Sequence, residues 1–430
     1  GRGLPRRLGR RSASGEAAEA RTSALGTATS PPHPNLCTTR RAKRAMKVIG
    51  LLAAGLAGAA GFGGGARRPR AGAKLRMSMD TTVNKGMVYE PGTGAFDSEA
   101  LGMPVVHRYR RQDRPTGERW IMWYQGRGGD IESDIVPLST GRIGRAESDD
   151  GIHWERVEDE GGVVLSRNEE EWWAFDGAHV GLGDVTLVAN EDVGLRDLTE
   201  NPGATAYFMY TYGGDWSENE KGIKGSNLKI GVAVSQDGTH WSRIEGGDAT
   251  GSCLDVGPEG DWDHAYVGWP CVVNRVPTEE EFGMYYCSYD NIEKKHCVGL
   301  ATSTDGVRWF KYGKIFSGSG AAGAFDEGGI TRRHIIRTEG GDGFRMWYEG
   351  VDAAGKHSIG YATSKDGLKW EPASTEAVLA PAEDADAWDA AGVSSPRIVA
   401  MDDGSLRMYY VGYGNEEPAA GKPKKGSIGV

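Results

Sequence analysis

Three short phrases recur five times along this 430-residue chain, always in the same order, and no other feature restricts its fold so tightly. The first is an aromatic-Asp step that leads into an apolar stretch. It reads "AFDSEALGMPVV" from 95, "AFDGAHVGLGDV" from 174, "DWDHAYVGWPCVV" from 261, "AFDEGGITRRHII" from 324 and "AWDAAGVSSPRIV" from 387. The second is a Met-aromatic phrase: "IMWYQG" from 121, "FMYTYG" from 208, "GMYYCS" from 283, "RMWYEG" from 345 and "RMYYVG" from 407. The third, "IGRAESDDGIHW" from 143, "IGVAVSQDGTHW" from 230, "VGLATSTDGVRW" from 298 and "IGYATSKDGLKW" from 359, ends in Ser-x-Asp-Gly-x-x-Trp. Its fifth copy stops at "SIGV", residues 427–430. A further strand-like stretch follows the Trp, as in "GGVVLSR" from 161.

Four short antiparallel strands per unit, repeated radially, are the signature of a β-propeller. The step aspartates at 97, 176, 263, 326 and 389 give five units, so an all-β, five-bladed propeller of four-stranded antiparallel blades is expected over 80–430. The abundance of Gly (66) and of Trp and Tyr (29 together) suits short strands joined by tight turns. The fifth unit lacks an outer strand. "KGMVYEPGTGAFD" (85–97) has the shape of "AVLAPAEDADAWD" (377–389), yet no unit precedes it. Met87–Pro91 is therefore predicted to complete the fifth blade and close the ring, which removes a free sheet edge.

The formal charge of −10 hides a division of the chain. Residues 1–79 hold 16 Lys/Arg and two acids, whereas 80–430 hold 34 basic and 58 acidic residues. A body this acidic is a poor match for nucleic acid, where phosphate neutralisation dominates affinity. It suits a protein that handles a saccharide or another small polar ligand. In the leader, basic residues precede an apolar run from Val48 to Gly61, which is too short to span a bilayer comfortably. Phe62 follows, then Arg67, Arg68, Arg70, Lys74 and Arg76 with no acid before Asp80. This resembles the bipartite plastid presequence of algae with secondary plastids, in which a signal peptide is cut before an aromatic residue to expose a basic transit segment. An ordinary secretory signal is the alternative, and either leaves a mature form without a membrane anchor. The absence of any Asn-x-Ser/Thr sequon disfavours a secreted glycoprotein. Cys253, Cys271, Cys287 and Cys297 have no CxxC spacing, so no zinc site is expected, and no metal or other cofactor. Cys287 and Cys297 either face each other across a hairpin or stay as buried thiols.

Residues present in every copy mark architecture. Gly151, Gly238, Gly306 and Gly367 supply the positive φ of the turn between the third and fourth strands, on the face away from the usual ligand funnel. The turn resembles the Asp-box of sialidases with one residue fewer. The five step aspartates are likewise expected to hold the loop into each first strand. "GSGAAG" (318–323) fits GxGxxG but leads into a blade rather than a helix, so it carries no dinucleotide.

Five such blades, with "SxDGxxW" turns and strands reading "MWYEG" and "VGWP", resemble the five-bladed glycoside hydrolase superfamily of arabinanases, invertases and levansucrases, with the uncharacterised family 43-like branch nearest. The resemblance covers about 85–430. It implies a sugar-binding central funnel and three carboxylates serving as base or nucleophile, as stabiliser and as acid, because glycoside cleavage protonates a leaving oxygen while a second group serves the anomeric side. In that superfamily the acids sit beside a Pro on the first strand. Here Met103, Trp269 and Ser395 precede the prolines, blade four has Arg332-Arg333 and blade two Leu182-Gly183; none is acidic.

Residues that break the repeat are then the site candidates. Asp184 stands alone as an acid against Val105, Cys271, His334 and Arg397. Glu349 is the one acid after the Met-aromatic phrase, against Gln125, Thr211, Cys287 and Val411. With Glu99 these are the candidate catalytic carboxylates. Trp269 is a candidate to stack on a sugar ring, or else packs between blades. Arg332 is a candidate to bind an anionic group, or else pairs with an acid such as Glu327. His179 and His334 lack metal-ligand spacing and are candidate ligand contacts or internal hydrogen-bonding residues. The long polar loops 125–142 and 211–229 add Asp130, Asp215 and Trp216. The two functional expectations are a glycoside hydrolase-like enzyme and a propeller that binds a glycan or protein without catalysis.

Overall fold

The structure, a computed structural model, describes residues 84–430 except 94–95, 112–113, 130–134, 137–140, 158, 190–204, 220, 275–281, 339 and 419–421. The presequence reading of 1–79 and the candidate Asp130 lie outside the described residues. Strand β1 (Met87–Tyr89) comes first. Blade one holds β2 (Ala100–Arg110), β3 (Glu118–Arg127), β4 (Gly141–Ser148), β5 (Glu155–Arg156) and β6 (Val163–Leu165), and blade two β7 (His179–Ala189), β8 (Thr205–Gly214), β9 (Lys229–Ser235) and β10 (Ser242–Ile244). Blade three holds β11 (Gly268–Asn274), β12 (Phe282–Asp290), β13 (Lys295–Ser303) and β14 (Phe310–Phe316); blade four β15 (Ile330–Arg337), β16 (Phe344–Val351), β17 (His357–Ser364) and β18 (Glu371–Pro372). Blade five holds β19 (Gly392–Ala400), β20 (Leu406–Tyr413) and β21 (Gly426–Gly429), and β1 is its outer strand, paired antiparallel with β21. Tyr89 lies opposite Ile428, as Leu165 lies opposite Ile143 and Leu379 opposite Ile359. The first strands of successive blades touch one another and line the axis. Among the described residues no helix is long and apolar enough to cross a membrane.

The repeated phrases account for how the ring holds together. In each third phrase the Ser hydroxyl and Asp carboxylate fold the turn: Ser148 Oγ accepts from Gly151 N (2.9 Å), and Asp150 Oδ1 accepts from Ile152 N and His153 N (2.8 and 2.9 Å). The turn glycine then meets the preceding blade. Trp123 Nε1 donates to Gly238 O (2.8 Å), Tyr210 OH to Gly306 O (3.0 Å), Tyr285 OH to Gly367 O (3.1 Å) and Tyr409 OH to Gly151 O (2.7 Å). Each donor is the residue after the Met of the second phrase, so that phrase staples one blade to the next. At Gly238 the φ is +73° and a Cβ would stand 2.8 Å from Trp123, so both conformation and space demand glycine. The following tyrosine holds the step aspartate: Tyr124, Tyr286, Tyr348 and Tyr410 donate to Asp97, Asp263, Asp326 and Asp389 at 2.8–2.9 Å. Apolar side chains fill the five seams between neighbouring blades, one cluster to each seam.

All five inner strands carry a β-bulge at the same level, where the register slips between Gly102 and Val105, Leu182 and Asp184, Gly268 and Cys271, Ile330 and Arg333, and Ser394 and Arg397. Three bulges contain an x-Pro step whose first residue is left-handed: Met103 (φ 46°), Trp269 (φ 46°) and Ser395 (φ 52°). A residue before proline ordinarily favours extended backbone, so each of these conformations costs about 1–3 kcal/mol that the surrounding blades offset. Bulges re-aim side chains, and here they turn one residue per blade toward the funnel.

Candidate functional site

The bulged level of the inner strands forms the floor of the funnel, and the side chains nearer the ends of the second strands form its mouth. At the floor stand Val105, Asp184, Cys271, His334 and Arg397, one from each blade. Arg397 donates to Asp184 across the axis (2.7 Å), while Val185 N and Val272 N donate to the same carboxylate (2.9 and 2.8 Å). Ile398 N donates to His334 Nδ1 (3.0 Å), so that nitrogen carries no proton. Burial, then the charge of Arg397, pushes the His334 pKa well below its ordinary value. Beneath it His107, bonded through Nε2 to Val185 O (2.9 Å), is lowered to about 3 by burial and by Arg397. Arg333 replaces a bulge proline and donates to the carbonyls of Thr331, Trp269 and Tyr285, tying blade four to blade three. These bonds tie the floor residues into one polar network across the axis, and Asp184 and His334 belong to it.

The mouth is built on blade four. Glu349, fully buried at the end of β16, accepts from Arg332 Nη1 through both oxygens (3.0 and 3.2 Å), from His357 Nδ1 (2.5 Å) and from Ser395 N (3.2 Å). Burial alone would raise its pKa, but Arg332 and His357 override it and hold the carboxyl at about 2. His357 keeps 38% of its side chain exposed while its Nδ1 is bound to Glu349. The Arg332 guanidinium lies over Trp269 at 4.9 Å, and Trp269 is wedged between Tyr212 and Tyr266, each 5.5 Å away between ring centroids. Arg332 thus pairs with Glu349 rather than Glu327, and the guanidinium covers a face of the Trp269 ring. Tyr266 OH shares a hydrogen bond with His296 Nδ1 (2.8 Å); burial, with help from His357 and Arg332, lowers the His296 pKa against the pull of Glu349.

On the blade-one side, Tyr212 OH donates to Gln125 Oε1 (3.0 Å) and stands beside Arg127. Burial lowers the Arg127 pKa and the neighbouring Arg332 acts in the same direction. His179, also buried, donates from Nε2 to Gly225 O (2.8 Å); burial and Arg127 hold its pKa near 4 despite that bond. Asp215 O in turn accepts from Gly225 N (2.9 Å), and the Asp215 carboxylate caps Ser217 N (3.0 Å), so Asp215 shapes the loop under His179. Trp216 is 43% exposed on the outer rim, with Arg167 5.3 Å from its ring. Glu99 accepts from Lys422 (2.8 Å) at the rim between blades five and one. Glu349, Arg332, Trp269 and His179 therefore share one mouth, Asp184 and His334 lie below it, and Glu99, Asp215 and Trp216 lie around it.

Several mouth residues escaped the sequence reading. Tyr212, not Thr211, is the counterpart of Glu349: it pairs with Ile230 as Glu349 pairs with Ile359 and Gln125 with Ile143. The phrase "FMYTYG" carries its second aromatic one place later than its fellows, which hid the match. His296 and His357 occupy matching positions at the start of the third strand, paired with Tyr289 and Val351. Comparing blades two residues further along would have exposed Arg127, where blades four and five carry Val351 and Tyr413. Among the described residues Cys253, Cys271, Cys287 and Cys297 are free and buried. Cys287 lies opposite Val298 and Cys297 opposite Ser288, so the pair is diagonal. The Asp290, Glu293 and Cys297 side chains come within 4.8 Å of one another, but Lys314 Nζ already bridges the two carboxylates (2.8 and 2.5 Å).

An all-β ring of five four-stranded antiparallel blades defines the class, a five-bladed propeller. No protein-family model and no curated protein matches the chain. Solved structures do. A BT0996 RGII complex superposes at a TM-score of 0.54 and 17% identity, over 80% of this protein and 90% of that one. An N-acetylgalactosamine deacetylase from F. plautii in complex with blood group B trisaccharide gives 0.51 and 16%, over 80% and 94%. A family 117 glycoside hydrolase from the marine bacterium Zobellia galactanivorans gives 0.50 and 14%, over 80% and 88%. At these identities the likeness establishes a shared fold.

Proposed function

We propose that this propeller is a carbohydrate-active protein of glycoside hydrolase type that takes a saccharide in the funnel mouth. The observation that carries the reading is the Arg332–Glu349–His357 assembly, in which a buried ionised carboxylate orients a half-open histidine. In this reading Glu349 holds Nδ1–H, and the other nitrogen of the partly exposed His357 accepts or returns a proton during glycosidic cleavage. Glu349 positions that histidine; its low pKa suits a fixed anion and not a general acid. Neighbours of the same fold that are glycoside hydrolases support the substrate class. A branch akin to family 43, and action in a plastid or after secretion, belong to this proposal.

A second reading, a propeller that binds a glycan without cleaving it, is favoured by Asp184. Both its oxygens are committed to Arg397 and to backbone amides, so the floor offers no free carboxylate opposite the mouth. Screening residues 80–430 on aryl glycosides and oligosaccharides separates the two. The enzyme reading expects turnover that falls at least tenfold in His357→Asn with folding intact. Saccharide binding with no turnover on any substrate selects the binder.

A further inference from the structure

Blades two to five enter their first strand through the same tight turn. Ala174 N donates to Glu171 O (3.0 Å), Asp261 N to Pro258 O (3.0 Å), Ala324 N to Ala321 O (3.3 Å) and Ala387 N to Asp384 O (3.0 Å). In blades three to five the two central residues are Glu259-Gly260, Ala322-Gly323 and Ala385-Asp386. All six are exposed, so the turn needs no apolar side chain there. Blade two has Trp172-Trp173 instead. Trp173 is accounted for by packing, since its ring lies 3.3 Å from where a Cβ on Gly251 would stand. Trp172 is 88% exposed, more than any other large apolar side chain among the described residues. The architecture gives no reason for it. A second ring stands over the same loop. Trp216 rests against Gly177, whose Cβ would lie 3.4 Å from the indole, and Gly177 N donates back to Ala174 O (3.2 Å). This surface continues from the mouth, because His179 follows Gly177 by two residues and takes its acceptor, Gly225 O, from the loop that carries Trp216.

We propose that Trp216 and Trp172 form an outer platform on which a saccharide chain leaving the mouth stacks its sugar rings, which makes the ligand an oligo- or polysaccharide. This rests on the saccharide reading above and adds the length of the ligand. The rings stand among polar groups and not in a continuous apolar patch. Arg167 lies over Trp216 (5.3 Å) with Glu169 on its Nε (2.9 Å), and the exposed Ser217 and Asn227 of the same loop bond to each other (2.6 Å). A protein partner would need a dry apolar centre to its interface. A sugar ring instead offers an apolar C–H face edged with hydroxyls, which suits a flat indole bordered by hydrogen-bonding groups. Covering the wet face of one indole is worth about tenfold in affinity.

The test is affinity electrophoresis of the full chain in native gels containing laminarin, galactomannan, arabinan or polygalacturonate. The proposal expects at least one polymer to retard the protein. The dissociation constant read from that retardation should rise about tenfold in Trp172→Ala and in Trp216→Ala, while Trp172→Phe keeps most of the affinity. Blades four and five carry Ala322 and Ala385 at the Trp172 position, so Trp172→Ala should fold, and unchanged melting temperatures check it. In calorimetry, the disaccharide unit of the same polymer should bind the native protein and the variants alike. Undiminished retardation of a folded Trp172→Ala/Trp216→Ala double variant would overturn the platform and leave the saccharide reading standing. An equal loss for disaccharide and polymer would also overturn it, because the rings would then serve the mouth itself. No retardation by any of the polymers would overturn the platform, whereas the aryl glycoside screen judges the mouth separately.

Discussion

Replacing Glu349 by Gln tests the electrostatics of the mouth most directly. The substitution keeps the shape, removes the charge, and leaves Arg332 buried beside Trp269 without its partner. A carboxyl held at about 2 against an ordinary 4.5 contributes about 3 kcal/mol at neutral pH, since each pKa unit is worth about 1.4 kcal/mol. The folded-state pKa is the depressed one, so this contribution is complete above pH 4.5 and is lost as pH falls toward 2. At pH 3 about 1 kcal/mol remains. Urea unfolding followed by tryptophan fluorescence should therefore show a Glu349→Gln penalty of about 3 kcal/mol at pH 7, shrinking to about 1 kcal/mol at pH 3. The double variant Glu349→Gln/Arg332→Met should recover most of the loss, because it is the orphaned guanidinium that destabilises. A penalty that stays the same from pH 7 to pH 3, or one below about 1 kcal/mol at pH 7, would refute the reasoning.

Asp184→Asn should cost about 3–5 kcal/mol in the same assay, since it strips the buried pair of the charge opposite Arg397. Gly238→Val should destabilise by about 1–3 kcal/mol from the positive φ alone, and more once the side chain meets Trp123. Tyr348→Phe should cost about 1–2 kcal/mol by taking a buried donor from Asp326, measured as a lower urea midpoint with an unchanged slope.

The blade count, the outer strand Met87–Tyr89 and the turn chemistry were all legible in the sequence because each is written several times. Repetition makes a local hydrogen-bond pattern visible even where any single copy is ambiguous. The site was legible only in part, for the opposite reason. Asp184 and Arg397 pair across the axis, 213 residues apart, and nothing in either repeat names the other as its partner. Glu349 was visible as a break in the pattern, yet its value depends on His357, eight residues further on across a hairpin, and on Arg332 from the neighbouring strand. Trp269 looked like a stacking platform because its type suits that task; the guanidinium over it follows from the bulges, which single-strand reading does not register. Arg127 was missed because it lies two residues beyond the compared position, past the glycine Gly126.

The pairing of β1 with β21 also orders events during synthesis. Strand β1 emerges from the ribosome before any blade, and its partner emerges after the fourth blade is complete. Until then Tyr89, which is 4% exposed in the finished ring, has no seam to enter. Four blades can assemble from local hairpins as they appear, but the contact between Gly86 and Val430 spans nearly the whole described chain. Such long-range closure is slow, and it comes last. Until it forms, β21 shows an unpaired backbone edge to neighbouring chains. The risk of mispairing is thus concentrated in one interval, at one seam, just before the ring is whole.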